Sequence, residues 1–325
     1  VYKRQLPSLM TRTSQWTLDR PMSVISIRLL CIFLLVALLG CSRSEIVYRN
    51  ADWLLARWTE GLLDPEAEQA DAWAGVLERA MRTHQRDLLP DAVTLLKSAE
   101  AAAGDGLDRR ELTCWADLLE QAYRSHARWA LKPAVEVLSD VSAGQVEHMA
   151  AELRERNQAY REDYLDEDLD RRQQQRLERY TDRIERWTGD LSEEQLHLVQ
   201  QAVSTMPDLS EAWLTYREKR QQGLLTLLRS QTDRGTLEDY LEAWWVHLEG
   251  RPDTLIRDAD SLRLASLELV LRLDATLSAA QRATFTGGLA ELREDFQLLA
   301  EEQSPLLKVQ TASLPCVAGP QSRSN

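Results

Sequence analysis

Leu262-Arg-Leu-Ala-Ser-Leu-Glu-Leu-Val-Leu-Arg-Leu273 is the stretch on which the fold class turns, because it reads two ways. Leucines at 262, 264, 267, 269, 271 and 273 come close to the every-second-residue alternation of a half-buried strand. Strands, however, favour β-branched side chains, and Val270 is the one such residue in the run. The reading that survives is a helix that is apolar on several sides and therefore buried. With this stretch helical, nothing else in the sequence asks for a sheet.

Outward from it, short breakers separate long helical patterns. Gly250-Arg251-Pro252-Asp253 and Met206-Pro207-Asp208 lie on one side, and further back stand Gly104-Asp105-Gly106 and Pro90. The chain of 325 residues holds 13 Gly and 10 Pro. Ala, Leu, Glu, Arg and Gln dominate it, a composition that favours helix nearly throughout. Four helix starts carry the pattern in which a short polar side chain and an acid or amide three residues later cap each other's backbone amides: Asp108-x-x-Glu111, Ser142-x-x-Gln145, Ser192-x-x-Gln195 and Ser278-x-x-Gln281. Asp64-Pro65-Glu66 predicts a further start, with Asp64 as N-cap and Pro65 at the first helical position. Leu112, Trp115, Leu119, Ala122 and Trp129 predict one buried stripe on the helix after Asp108, interrupted at Pro133. Between Gln145 and Trp187 apolar residues thin out, predicting a charged hairpin of two long helices that turns near Asp166-Glu167-Asp168. The expectation is an all-α fold, a bundle of about nine to eleven helices, mostly antiparallel neighbours because the breakers are short. It spans residues 41–302, with a sub-boundary near 188–208. A disordered tail is expected over 303–325, where Pro305, Pro315, Gly319, Pro320 and serines accumulate.

Location is read from Met22 to Cys41. Arg28 precedes the apolar run Leu29–Leu39, and Leu38-Leu39-Gly40-Cys41 follows. A basic residue, about 7–15 apolar residues and a small-residue cleavage site make a secretory signal, and the run is well short of the roughly 20 residues a bilayer span needs. The last four residues resemble the lipobox of bacterial lipoproteins, which implies a lipid on the Cys41 thiol and cleavage before it. Several acyl chains would anchor the protein firmly. Ser42, where an acid is absent, implies the outer membrane rather than the inner. Residues 22–40 are thus expected to be a lipoprotein signal peptide and residues 1–21 an upstream start codon misassigned.

Lys and Arg number 39 against 52 Asp and Glu, a net charge of −13. Residues 1–40 contain five basic residues and one acid, so the remainder carries 34 against 51, or −17. Such a surface repels phosphate, which argues against nucleic acid as a partner. The run Arg171-Arg172-Gln173-Gln174-Gln175-Arg176 is accordingly read as a solvated helix face. Cys114 and Cys316 are the thiols left after Cys41; their spacing leaves open whether they pair.

Tyr48-Arg49-Asn50-Ala51-Asp52-Trp53-Leu54-Leu55 just after the lipobox, the Leu-Ser-x-x-Gln helix starts, Asn157-x-x-Tyr160 followed by Tyr164, and Trp213 with Arg217 and Arg220 resemble a family of uncharacterised Gram-negative all-helical lipoproteins, a domain of unknown function. That family usually has an aromatic before the histidine of its second helix, where this chain has Thr83-His84. The resemblance implies a helical fold and lipidation and supplies no catalytic residues.

Motifs for nucleophile elbows, phosphate loops and zinc sites are missing from the sequence. Glu194-x-x-His197 is one half of what a di-iron bundle would need, so no metal and no cofactor are expected. His126, between Ala122 and Trp129, reads as a hydrogen-bonded core or boundary residue. Candidate contact residues are Asp52 and Trp53, Tyr160 and Tyr180 on the charged helices, and the adjacent Trp244 and Trp245. Asp52 can equally pair with Arg49 or Arg57. Neighbouring helical residues point about 100° apart, so both Trp244 and Trp245 are buried only if their helix is covered on two sides. The expected function is a lipid-anchored, periplasm-facing interaction or scaffold module with an envelope protein as partner. The alternative is an apolar-ligand carrier or chaperone, and an enzyme ranks last.

Overall fold

The computed structural model describes residues 43–165, 168–303 and Cys316. Among them are twelve α-helices, one π-helical turn and no strand. In chain order these are α1 (Arg43–Arg49), α2 (Ala51–Leu63), α3 (Ala67–Asp87), α4 (Leu89–Asp105), α5 (Arg109–Leu138) and α6 (Ala143–Tyr164). Then follow α7 (Leu169–Thr188), α8 (Glu193–Thr205), α9 (Ser210–Arg229), α10 (Arg234–Leu241), the π-turn Glu242–Val246, α11 (Asp253–Asp274) and α12 (Ala279–Gln303). The fold is all-α, as the sequence predicts. Residues 1–42, which hold Cys41 and the expected signal peptide, and residues 304–325 other than Cys316 lie outside the described residues, while Gln303, placed in the tail by the sequence, ends α12.

Contacts run antiparallel. On α4 and α12, Leu89 packs with Leu299, Glu100 pairs with Arg293 at 2.8 Å, and the Ala103 carbonyl accepts from Arg282 at 2.7 Å. On α6 and α9, Glu147 pairs with Arg229, Asn157 with Gln221 and Arg161 with Glu218. Four apolar clusters hold the helices. The largest joins Leu62, Trp73, Leu131, Val146, Leu224 and Leu241 from α2, α3, α5, α6, α9 and α10. Each such side chain contributes roughly 1.5–3 kcal/mol through burial. A second cluster, around Val199, Val203, Leu269 and Leu273, seats α11 on α8.

The Leu262–Leu273 stretch is helical, inside α11, but it is not buried all round. Leu269 and Leu273 are buried, whereas Leu264 is 63% exposed. α8 covers one side, and α5 approaches another through the Arg263–Asp117 ion pair and through Leu267 and Leu271, which pack near Trp115; the third side meets solvent. The α5 stripe is likewise incomplete, with Leu119 exposed. Pro133 does not interrupt α5, which continues through it to Leu138. Asp64 is not the N-cap of α3. It ends α2 in the left-handed conformation (φ 46°), donating its amide to the Glu60 carbonyl, and Glu66 occupies the N-cap position. The charged segment is no hairpin along its length: α6 packs on α2 and α9, whereas α7 packs on α8 and α12. α6 and α7 meet near their connection, where Arg179 donates to the Asp163 carbonyl at 3.3 Å.

All four reciprocal caps form. In each, the amide of the first residue donates to the Glu or Gln side chain three residues on, and that residue's amide donates back. The glutamines then do more than cap. Gln195 Nε2 donates to Gln281 Oε1 at 3.0 Å while Gln281 Nε2 donates to Gln195 Oε1 at 2.9 Å, fastening the start of α8 to that of α12. Gln145 and Gln69 make the same exchange between α6 and α3.

Cys316 forms a disulfide with Cys114 on α5, Cα atoms 5.5 Å apart, and packs on the cluster of Ala102, Leu112 and Trp115.

Candidate functional site

One concave feature is an apolar pocket of 290 Å³ that opens to the surface from the largest cluster, smaller than the polar cleft of 670 Å³ lined by Asp64, Gln69, Asp140 and His148. α2 contributes Trp58 and Leu62, α3 Leu77, α5 Trp129 and Ala134, α6 Met149 and Leu153, α9 Gln221 and Leu224, and the π-turn Trp244 and Trp245. Its geometry follows from three local features. The first is the π-turn, where the chain bonds i to i+5 and presents its side chains at altered angles. Trp244 and Trp245 are both half-buried and both line this one cavity, the outcome that covering on two sides requires. The second is Pro133, whose ring lines the wall inside α5. The third is Gly223, against whose α-carbon the Tyr240 ring lies so closely that a Cβ would fall 2.1 Å from the hydroxyl. Tyr240 is fixed there by donating to the Arg220 carbonyl at 2.6 Å, with the Arg220 guanidinium 4.4 Å from the ring centre. That contact sets α10 and the π-turn against α9.

Polar atoms in the wall are few. Gln221 is buried, and its Oε1 accepts from Asn157 Nδ2 at 2.7 Å. Its amide nitrogen makes no hydrogen bond to a described residue, which leaves a donor for a ligand. Trp58, 55% exposed with Arg156 stacked at 5.1 Å, stands where the cavity reaches the surface. Trp129 is held by its indole N–H, which donates to the Ala80 carbonyl at 3.0 Å.

Behind Trp129 lies an aromatic and imidazole cluster. His84 makes an edge contact with Trp129 (4.8 Å) and lies 5.0 Å from the His126 ring, and its Nδ1 is 2.7 Å from the Tyr48 hydroxyl. Burial, aided by His126, lowers the His84 pKa to about 4, so His84 is neutral at pH 7. Burial also raises the Tyr48 phenol well above its usual range. His126 is the boundary residue expected, its Nδ1 2.6 Å from the Ala122 carbonyl.

The other residues singled out in the sequence fall in separate places. Asp52 lines a polar cleft with Tyr48, Arg49 and Glu78, and Trp53 beside it is 62% exposed. Neither expected partner of Asp52 pairs with it: Arg49 bonds Glu45 and Glu302, and Arg57 bonds Glu60. Asp52 Oδ1 instead accepts the Trp53 amide at 2.8 Å. Tyr160 and Tyr180 do come together, in a pocket of 270 Å³ between α6, α7 and α9. There Tyr160 stacks on Tyr164 (centroids 4.6 Å, 22°), with Arg217 4.6 Å from the Tyr160 ring and Arg179 4.7 Å from that of Tyr164. Glu194 and His197 are both exposed, and among the described residues no three His, Cys, Asp or Glu side chains stand together as metal ligands. The Arg171–Arg176 run is not wholly a solvated face. Arg176 is buried, a correction taken up below.

Residues 61–245, more than half of the chain, match the family model described as "Family of unknown function (DUF6279)", and the chain belongs to that family. The matched span takes in the cavity wall from Leu62 to Trp245. No curated protein and no solved structure matches the chain.

Proposed function

We infer that this member of a family of unknown function is a carrier that holds an apolar small molecule between its helices at the cell envelope. The cavity carries the reading. Folded interiors rarely keep a void larger than a water molecule. Apolar walls that water reaches beside Trp58 are unfavourable to leave hydrated, and an apolar occupant removes them from water. Mostly apolar walls with one or two placed polar groups, here Gln221 and Thr59, are what ligand pockets of this size have in common. Catalysis draws less support. Among the described residues, every carboxylate whose titration is displaced (Asp87, Glu147, Asp168, Asp208 and Asp233) is held below the usual range, so none of these five is a protonated acid waiting to donate.

The lipobox-like Leu38-Leu39-Gly40-Cys41 supports lipidation at Cys41 and a periplasm-facing position on the outer membrane of a Gram-negative envelope. Interaction with an envelope protein is a second reading. It draws on exposed Trp53, Leu54 and Trp58 along α2, an aromatic surface of the kind that anchors partners. The test of the carrier reading uses N-phenyl-1-naphthylamine, an apolar fluorophore, titrated into the Cys41→Ser chain without detergent. Saturable 1:1 uptake with quenching of tryptophan emission is expected, competed by fatty acids or by hydrocarbons. Absence of saturable uptake by the folded chain refutes the carrier reading and leaves the interaction reading standing.

A further inference from the structure

Arg176 on α7 is a cation buried without an acid. It keeps 9% exposure, and its Nη1 donates to the carbonyls of Met206 (2.9 Å) and Val203 (3.4 Å), its Nη2 to that of Pro207 (2.9 Å). No carboxylate among the described residues pairs with it. Carbonyl dipoles satisfy the N–H groups but leave a full positive charge uncancelled in poorly solvated surroundings. Arg179 and Arg183 follow on the same helical face, three and seven residues on. Arg183 makes no ion pair or hydrogen bond to a described residue, and Arg179 spends one N–H on the Asp163 carbonyl. All three arginines line the 270 Å³ pocket.

One carboxylate stands there with them, Asp208, and it is already engaged. Arg172 binds it at 2.8 Å and the Ser210 amide donates to it at 2.9 Å. With Arg172 and Asp208 cancelling, the pocket keeps the excess positive charge of three arginines, in a chain whose net charge is −13. Tyr160, Tyr164 and Tyr180 line the same space, and their hydroxyls make no hydrogen bond to a described residue. Two of those rings are already fixed, clamped face to face between Arg217 and Arg179. Trp213 and Leu262 complete an apolar side.

We propose that this pocket, separate from the apolar cavity, binds an oxyanion, a carboxylate or a phosphate, borne on a small ligand whose apolar part rests on Trp213 and Leu262. Arg179 and Arg183 have the forked N–H donors that match such groups two bonds at a time, and the phenols donate to the remaining lone pairs. Arg176 contributes its charge through the pocket floor.

Isothermal titration of the full chain at constant ionic strength tests this with three probes: inorganic phosphate, phenyl phosphate and benzoate. Saturable binding of at least one is expected. A response to the two phosphates alone makes phosphate the recognised group, and a response to benzoate alone makes it carboxylate; either supports the site. The Arg179→Gln/Arg183→Gln variant should bind about tenfold more weakly or worse, since each charged hydrogen bond lost is a large fraction of a small ligand's affinity. Both residues lie outside the buried clusters, so the variant should keep its far-ultraviolet circular dichroism and its uptake of the apolar fluorophore; should it misfold, Arg183→Gln alone, at an exposed unpaired position, replaces it. No saturable binding of any probe, or equal affinity in wild type and folded variant, overturns the proposal without touching the carrier reading.

Discussion

Replacing Ala134 by leucine probes the cavity from the inside. Ala134 lies on α5, packs against the largest cluster and lines the cavity wall. Leucine is nearly as good a helix former as alanine, so the backbone has little reason to object. Three added carbons, at about 0.8 kcal/mol each, bring about 2.4 kcal/mol of burial into space now vacant. Fixing a leucine rotamer costs about 0.5–1 kcal/mol, leaving a net gain of about 1.5–2 kcal/mol. In guanidinium denaturation, with a slope of about 5 kcal/mol per molar for a chain of this size, the midpoint should rise by about 0.3–0.4 M at unchanged slope. Fluorophore affinity should fall about tenfold in the same variant, because the filled volume is no longer on offer. The opposite pair of results would refute the reasoning. A loss of 1–3 kcal/mol, the mark of an overpacked core, together with unchanged uptake would mean that Ala134 faces tightly packed neighbours and that the probe binds elsewhere.

Reduction of Cys114–Cys316, or Cys114→Ser, should cost about 2–5 kcal/mol, because the bond closes a loop across a separation of 202 residues; equal denaturation midpoints with and without reductant would contradict that. Stability should also fall on acidification through His84. Its folded pKa is lowered from 6.5 to about 4, so between those values the unfolded chain binds a proton that the folded chain refuses. The contribution is complete above pH 6.5 and is lost as the pH falls to about 4. The full shift corresponds to about 3 kcal/mol, and partial solvent access reduces this to about 1–2 kcal/mol. His84→Gln should flatten the stability profile over that window, and an unchanged slope would sink the assignment.

What the sequence revealed were features settled within a few residues of chain. The four Ser or Asp capping boxes are visible because both partners sit three positions apart, and all four form. The helical nature of Leu262–Leu273 was legible from its lack of β-branching, yet its exposure was not, since Leu264 is left open by where α5 and α8 happen to lie. Asp64 misled because Asp-Pro-Glu suits a helix start and a left-handed helix end alike, and only the turn geometry decides. Of the site, Trp244 and Trp245 were recognisable as a pair that had to be covered, but the π-turn that aims both at one cavity depends on i to i+5 bonding. Tyr160 and Tyr180 stand out in the sequence as aromatics on charged helices. Arg176 reads in the sequence as part of a solvated face, and its burial is not legible there because its setting, the carbonyls that end α8, is assembled by residues 27 to 31 positions away. Gln221 carried no signal at all in the sequence; its meaning comes from Asn157 across α6.

The Gln195–Gln281 exchange exposes the protein to a slow chemical hazard. Each side chain uses its oxygen to accept at its own helix start, from the Ser192 amide at 2.9 Å and the Ser278 amide at 3.0 Å, and its nitrogen to reach the other glutamine. Deamidation, a route by which amide side chains age, would convert one nitrogen to oxygen. The local cap would survive and even improve, since a carboxylate suits a helix N-terminus. One of the two bonds across would become oxygen facing oxygen while the surviving amide still donates, and deamidation at Gln195 would also remove its donation to the Thr276 carbonyl. Damage at that single atom would therefore leave both helices intact by circular dichroism while removing one of the two bonds that fasten α8 to α12, a form of wear invisible to any measurement of secondary structure.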